Sequence, residues 1–273
     1  MSVLHLEAIG LMAPGLGGWE SSRAVLAGQQ PWETAPLPAA IATLLPANER
    51  RRTTAIVKQA LQVAQEAMAA TALTPNPSPT GRGELLPTPT VLASSGGDSE
   101  VLDKICTALT EPDRAVSPTQ FHHSVHNTPA GYWAIATGCV LPSLSLSAYD
   151  GSFATGLREA AALAWTEKIR VLLIAYDLPP PFPLAERRLI AAPFAVALLL
   201  NPAPTSERLA LLRIQPGRSG AADQLEDVEL ERLRAGNPAA RSLPLLCAIA
   251  ARSTGSVVLD AGDDAVLRME VTP

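Results

Sequence analysis

The chain has 273 residues, 47% of them hydrophobic but only 4% aromatic, and a net charge of −5. That length supports one large α/β domain or two small ones, with a core built mainly from Ala, Leu, Val and Ile. The acidic balance argues against a nucleic-acid surface, which needs clustered Lys and Arg. The one basic cluster, Arg50-Arg51-Arg52, reads as a solvated helix face. No apolar run reaches the ~18 residues of a membrane span. Cys106, Cys139 and Cys247 are odd in number and form no CxxC pair. Together these features imply reduced thiols in a soluble, cytoplasmic protein.

Residues 2–9, SVLHLEAI, alternate as a first strand should, and a helix is expected over 20–27. Gly15 and Gly17 lie between them, but a dinucleotide-binding turn needs a third glycine where Glu20 stands. The segment reads instead as a flexible turn. A longer helix is expected from Leu45-Pro46 to about Ala70, with apolar residues at 56, 57, 60, 61, 64, 67 and 68 forming one stripe. Residues 71–89, which include TPNPSPTGRGELLPTP, have no apolar period. They read as a solvated Pro-rich insertion between helix and strand. A short strand then resumes at Thr90, and Asp98 or Ser99 caps a helix over 99–109.

The stretch FHHSVHNTPAGYWAIATGCVLPSLSLSAYDGSFATGL, 121–157, organises the rest. A helix beginning after Pro118 should turn Val125, Tyr132, Trp133 and Ile135 inward, with interruptions at Asn127 and Gly131. A strand over 143–148 follows, with Leu144 and Leu146 on one face. The chain then turns at Tyr149-Asp150-Gly151-Ser152 into a helix over 153–165, rich in Ala and Leu. Such a turn presents one residue at a helix N-terminus, where free N–H groups and the dipole favour negative charge. Nucleophilic enzymes place Ser or Cys there; here the residue is Asp150, expected to cap the helix.

Beyond it, RVLLIAY at 170–176 is a central strand covered on both faces. Residues 192–200 and 208–214 look like a neighbouring antiparallel pair. Residues 223–235 look like an acidic helix with Leu225, Val228, Leu230 and Leu233 partly inward. A last helix over 243–252 and two strands, 257–259 and 266–271, around Gly262-Asp263-Asp264 close the chain. Alternation of helix and strand makes the fold class α/β with a mixed sheet.

The elbow resembles that of the thiolase-like β-ketoacyl synthases, whose condensing cysteine lies in a run of the form Ala-Cys-Ala-Gly-Phe-x-x-Ala-Leu. Phe153 and Leu157 fall at that family's Phe and Leu, and Asp150 falls at the cysteine. Ser124-Val125-His126-Asn127 with Ala130-Gly131 is similar to the helix that precedes the nucleophile strand. The resemblance implies a single synthase N-terminal-like domain over residues 1–273, interrupted by the insertion. It implies no cofactor.

A complete synthase has two such halves, the second supplying the decarboxylating histidines. The histidines of this chain are His5, His122, His123 and His126, so no candidate follows the elbow. His122 and His126 are one helical turn apart, but without an HExxH or a third ligand they do not make a metal site. The chain is similar to the short chain-length factors of type II systems that make aryl polyene pigments. That similarity implies a non-condensing subunit in a heterodimer with a full-length β-ketoacyl synthase, with an acyl carrier protein as a further candidate partner. Asn127, Tyr132, Trp133 and the strand Ser143, Leu144, Ser145, Leu146, Ser147 and Ala148 would then face the partner. Tyr149, Asp150, Gly151, Ser152 and Phe153 would form the elbow and its pocket. The alternative is an acyl-transfer or decarboxylating enzyme that uses Asp150.

Overall fold

The computed structural model describes residues 2–71, 85–217, 220–262 and 265–273. The Pro-rich core of the expected insertion and the Asp263-Asp264 turn therefore lie outside the described residues. Eight strands form one mixed sheet: β1 (Ser2–Met12), β2 (Thr90–Ala93), β3 (Ser143–Leu146), β4 (Val171–Asp177), β5 (Phe194–Asn201), β6 (Ala210–Gly217), β7 (Gly255–Gly262) and β8 (Ala265–Thr272). Their order is β3-β2-β4-β5-β1-β6-β8-β7. β3, β2 and β4 run parallel, and every other pairing is antiparallel.

The expected pairing of 192–200 with 208–214 is corrected. β1 lies between those two strands, pairing β5 through His5 to Met12 and β6 through Ser2 to Leu6. Both flanking strands are apolar and need partners on each edge, and an eleven-residue β1 is long enough to serve both. β4 is buried along its whole length, as its unbroken apolar run requires.

Helices cover both faces. α1 (Trp19–Leu26), α7 (Ser152–Glu167), α8 (Val228–Gly236) and α9 (Leu243–Ala250) pack on one side. On the other lie α3 (Ala55–Ala69) and α6 (Thr128–Thr137). The long helix expected from residue 45 is two helices, α2 (Ala47–Arg52) and α3, because the backbone is extended at Thr53 and Thr54. All seven stripe residues of α3 are buried. Glu66 on this helix accepts hydrogen bonds from Leu11 N (3.0 Å) and Trp19 N (2.6 Å), and so ties β1 to the first turn of α1.

Asp98 caps α4 (Ser99–Thr110) by accepting from Val101 N. The next helix is also divided, into α5 (Pro118–His123) and α6. The break falls at 124–127, where Pro129 starts a fresh helix; Gly131 lies within α6 and interrupts nothing. Tyr132 and Trp133 point inward, but Val125 and Ile135 are exposed. The acidic helix begins only at Val228, because Asp227 caps it through Glu229 N and Leu230 N, and Val228 is left in solvent.

Gly10 on β1 shows how closely α3 lies on the sheet. A Cβ there would stand 1.9 Å from the Val63 carbonyl oxygen, a backbone atom that cannot rotate away. Gly10→Ala is expected to destabilise the chain by about 3 kcal/mol or more, the upper range for overpacking. Urea denaturation measures this, and a wild-type midpoint would contradict the packing.

Candidate functional site: the elbow and its clamp

Because β3, β2 and β4 run parallel, their C-terminal ends meet at one edge of the sheet, where open α/β sheets commonly bind ligands. The elbow sits there as a short 3-10 turn, Tyr149–Gly151, leading directly into α7. Its left-handed residue is Tyr149 (φ 50°), one position before Asp150. A positive φ at a bulky residue is uncommon and marks a conformation imposed by its surroundings. Two features impose it. The Ser152 hydroxyl accepts from Ala148 N (3.0 Å) and donates to Tyr149 O (2.7 Å), locking the turn. Gly151 packs against β7 so closely that a Cβ would meet the Ala261 carbonyl oxygen at 2.4 Å.

Asp150 does not cap α7, which corrects the expectation from sequence. Its carboxylate instead holds two arginines. Arg188 donates to Oδ1 at 2.6 Å and Arg241 donates to Oδ2 at 2.9 Å. Arg241 also pairs with Asp260 on β7, and Asp260 accepts from Gly262 N (2.9 Å). The Arg188 guanidinium lies 3.8 Å over the Tyr149 ring, a cation–π contact. Four charged side chains from the elbow, the loop after β4, the segment before α9 and the C-terminal hairpin thus form one connected cluster. With both carboxylate oxygens bound to guanidinium groups, Asp150 is engaged as a structural anchor, a poor arrangement for a general base.

Beneath the clamp lies a second carboxylate. Asp177, at the end of β4, is buried, and its Oδ1 accepts from Ser95 N (2.8 Å), Ser95 Oγ (2.8 Å) and Ser94 Oγ (3.1 Å). Its Oδ2 has no hydrogen-bond partner among the described residues. Burial pushes its carboxyl up to about 6, against the opposing pull of the serine hydrogen bonds and Arg188. Asn237, fully buried, donates to Asp177 O (3.1 Å) and Ala192 O (2.8 Å) and accepts from Ala239 N (2.8 Å).

The residues expected at an interface divide into two sets. Tyr132 and Trp133 are core, 5% and 4% exposed, packed with the α3 stripe; they are corrected as partner contacts. An aromatic pair on a helix facing the sheet buries more area inside its own chain than a rim position offers. Asn127, Ser143, Leu144 and Ser147 are exposed, and Ser145, Leu146 and Ala148 are half-buried along the free edge of β3. Tyr149 is exposed, whereas Gly151, Ser152 and Phe153 are buried, so Phe153 is a core residue.

The histidines separate in the same way. His123 is buried and stacked on Tyr132 at 5.6 Å, and burial lowers its pKa. His126 Nε2 lies 3.0 Å from Leu146 O, tying the helix break to β3. Among the described residues no group of three or more His, Cys, Asp or Glu is arranged to hold a metal ion.

The sequence reading did not anticipate Arg188, Arg241, Asp260 and Asn237. Asp177, closing an apolar strand, was the one available signal that a buried acid lay here.

This fold, with a nucleophile-type elbow at the ends of parallel strands, is that of the thiolase-like ketosynthases. Residues 19–250 match the family described as β-ketoacyl synthase, N-terminal domain, and the chain belongs to it. No curated protein matches it in sequence. Among solved structures it is similar to a chain of the ketosynthase (ApeO) in complex with its chain length factor (ApeC) from Xenorhabdus doucetiae. That match has 22% identity and a TM-score of 0.73, and covers 99% of each chain. The ishigamide ketosynthase/chain length factor matches at 15% identity and TM-score 0.69, again over 99% of each chain. The ketosynthase from module 1 of the bacillaene synthase of Bacillus amyloliquefaciens FZB42 matches at 14% identity and TM-score 0.57. There the match covers 81% of this chain and only 47% of that one.

Asp177 generates a pH dependence. Between its usual value of 3.8 and about 6, the folded chain holds a proton that the unfolded chain has released, so stability falls as pH rises through that window. Asp177→Asn lacks this titration. Its stability relative to wild type should therefore rise between about pH 4 and pH 6, by up to roughly 3 kcal/mol, and level off above. Urea melts of both proteins across that range provide the check; a constant difference would contradict the burial argument.

Proposed function

We propose that the chain is a non-condensing, chain-length-factor subunit that pairs with a complete β-ketoacyl synthase in aryl polyene or fatty-acid-like biosynthesis. The observation that carries this reading is the extent of the structural match. Chains from ketosynthase–chain length factor complexes are matched over nearly their whole length, but the bacillaene ketosynthase over less than half. The match thus extends over nearly the whole of a chain from each of these complexes. The clamp supports the same reading, since the residue at the nucleophile position is an aspartate bound to two arginines. A single domain spanning residues 1–273, acting in the cytoplasm, is part of the proposal.

The proposed contact surface is the free edge of β3 with the segment leading into it. An edge strand presents unpaired N–H and C=O groups that a second strand can extend. Beside it Ile135, Val140, Leu141, Leu144 and Tyr149 are exposed, Val140 almost completely at 96%. Adjacent exposed apolar residues of this size mark an interaction surface. Asn127 and Ser147 would supply polar contacts at its rim, and a carrier protein would reach the complex through the synthase or this subunit.

Co-expression with a full-length β-ketoacyl synthase should yield a stable heterodimer by size-exclusion chromatography with light scattering. Leu144→Lys, a charge on the edge strand, should abolish it while the isolated chain keeps its melting temperature. Absence of any complex would overturn the reading. A complex indifferent to Leu144→Lys would move the interface elsewhere.

A further inference from the structure

A cleft of about 290 Å³ opens at the start of α3. Its walls are aliphatic: Met12 at the end of β1, Leu178 just past β4, and Leu37, Pro38 and Ala40 from the loop that runs along α3. The remaining wall is one face of α3 itself, where Ala55, Lys58 and Gln59 stand three and four residues apart.

Gln59 is the unusual member. It is 2% exposed, yet neither Nε2 nor Oε1 has a hydrogen-bond partner among the described residues. The other two glutamines on α3 are used: Gln62 accepts from Ile41 N (3.0 Å) and Gln65 from the Thr43 hydroxyl (2.8 Å), fastening the loop to the helix. A buried amide with both functions unpaired is costly unless something satisfies it. The helix end beside it is also uncompensated. The first turn of α3 has no acidic residue, and the Thr54 side chain makes no capping bond, so the dipole and Lys58 together favour an anion.

We infer that this cleft binds a compact aliphatic hydroxy acid. The chemistry follows from what the wall offers. Lys58 and Gln59 Nε2 are donors suited to a carboxylate, whereas Gln59 Oε1 needs a donor in return, which a carboxylate lacks and a hydroxyl supplies. A primary amide would pair with Gln59 but leave the charge of Lys58 unanswered. Among the described residues the walls apart from Lys58 and Gln59 are aliphatic, which suits an aliphatic body for the ligand. Its lining shares no residue with the elbow cluster or the proposed partner surface.

Isothermal titration calorimetry with 3-hydroxyoctanoate, octanoate and octanamide tests it, using the purified chain or its complex. 3-Hydroxyoctanoate should bind most tightly. Gln59→Leu should weaken it by about tenfold or more without lowering the melting temperature. Lys58→Met should weaken both acids and spare the amide, and Gln59→Glu should repel both acids. Wild-type affinity in Gln59→Leu, octanoate binding as well as the hydroxy acid, or no saturable binding by any of the three would overturn the inference.

Discussion

The cluster joining Asp150, Arg188, Arg241 and Asp260 holds the C-terminal third of the chain to the elbow. β7 and β8 form the far edge of the sheet and have no parallel strand to dock on. Instead they are drawn over the elbow by Asp260 and by the close contact of Gly151 with Ala261. Removing one charge from such a partly buried set leaves its partners unpaired, which is where charge networks are most sensitive. The same geometry explains the left-handed Tyr149. Its ring lies under Arg188, so the strain of one residue is held by the cation that also binds Asp150.

The layers of the fold lead to this arrangement from the strand order. A fully buried β4 brings Asp177 to the same edge as the elbow, and the serines after β2 capture it. β1, long enough to pair two strands, carries the sheet across to the C-terminal hairpin. The opposite edge is left to β3, flanked by exposed Val140 and Leu144. One edge of the molecule is thus closed by charge pairs, and the other is open and apolar.

Much of this was legible in the sequence where periodicity and run length carry the information. The α3 stripe, the covered β4, the Asp98 cap and the turn into α7 all follow from local patterns. The errors have physical causes. The position of β1 between β5 and β6 is a long-range pairing that no local pattern encodes. The breaks at Thr53-Thr54 and 124–127 fall where apolar spacing continues through a change in backbone direction. Tyr132 and Trp133 looked equally suited to an interface or a core, and only packing against α3 decides between them. Asp150 was visible as the residue at the elbow, but not its partners, because Arg188 and Arg241 reach it from 38 and 91 residues away.

Whether the elbow anchors or catalyses is decided by isolating the charge of Asp150 from the fold. Asn preserves the shape of the side chain but cannot act as a base, and it weakens the pairing with both arginines. The decisive measurement is acyl extension by the reconstituted complex carrying Asp150→Asn, after melting curves and chromatography establish that the variant is folded and assembled. An anchoring role predicts a less stable subunit whose complex still extends acyl chains near the wild-type rate. A folded, assembled Asp150→Asn complex that yields no product would contradict it and make the elbow an active site.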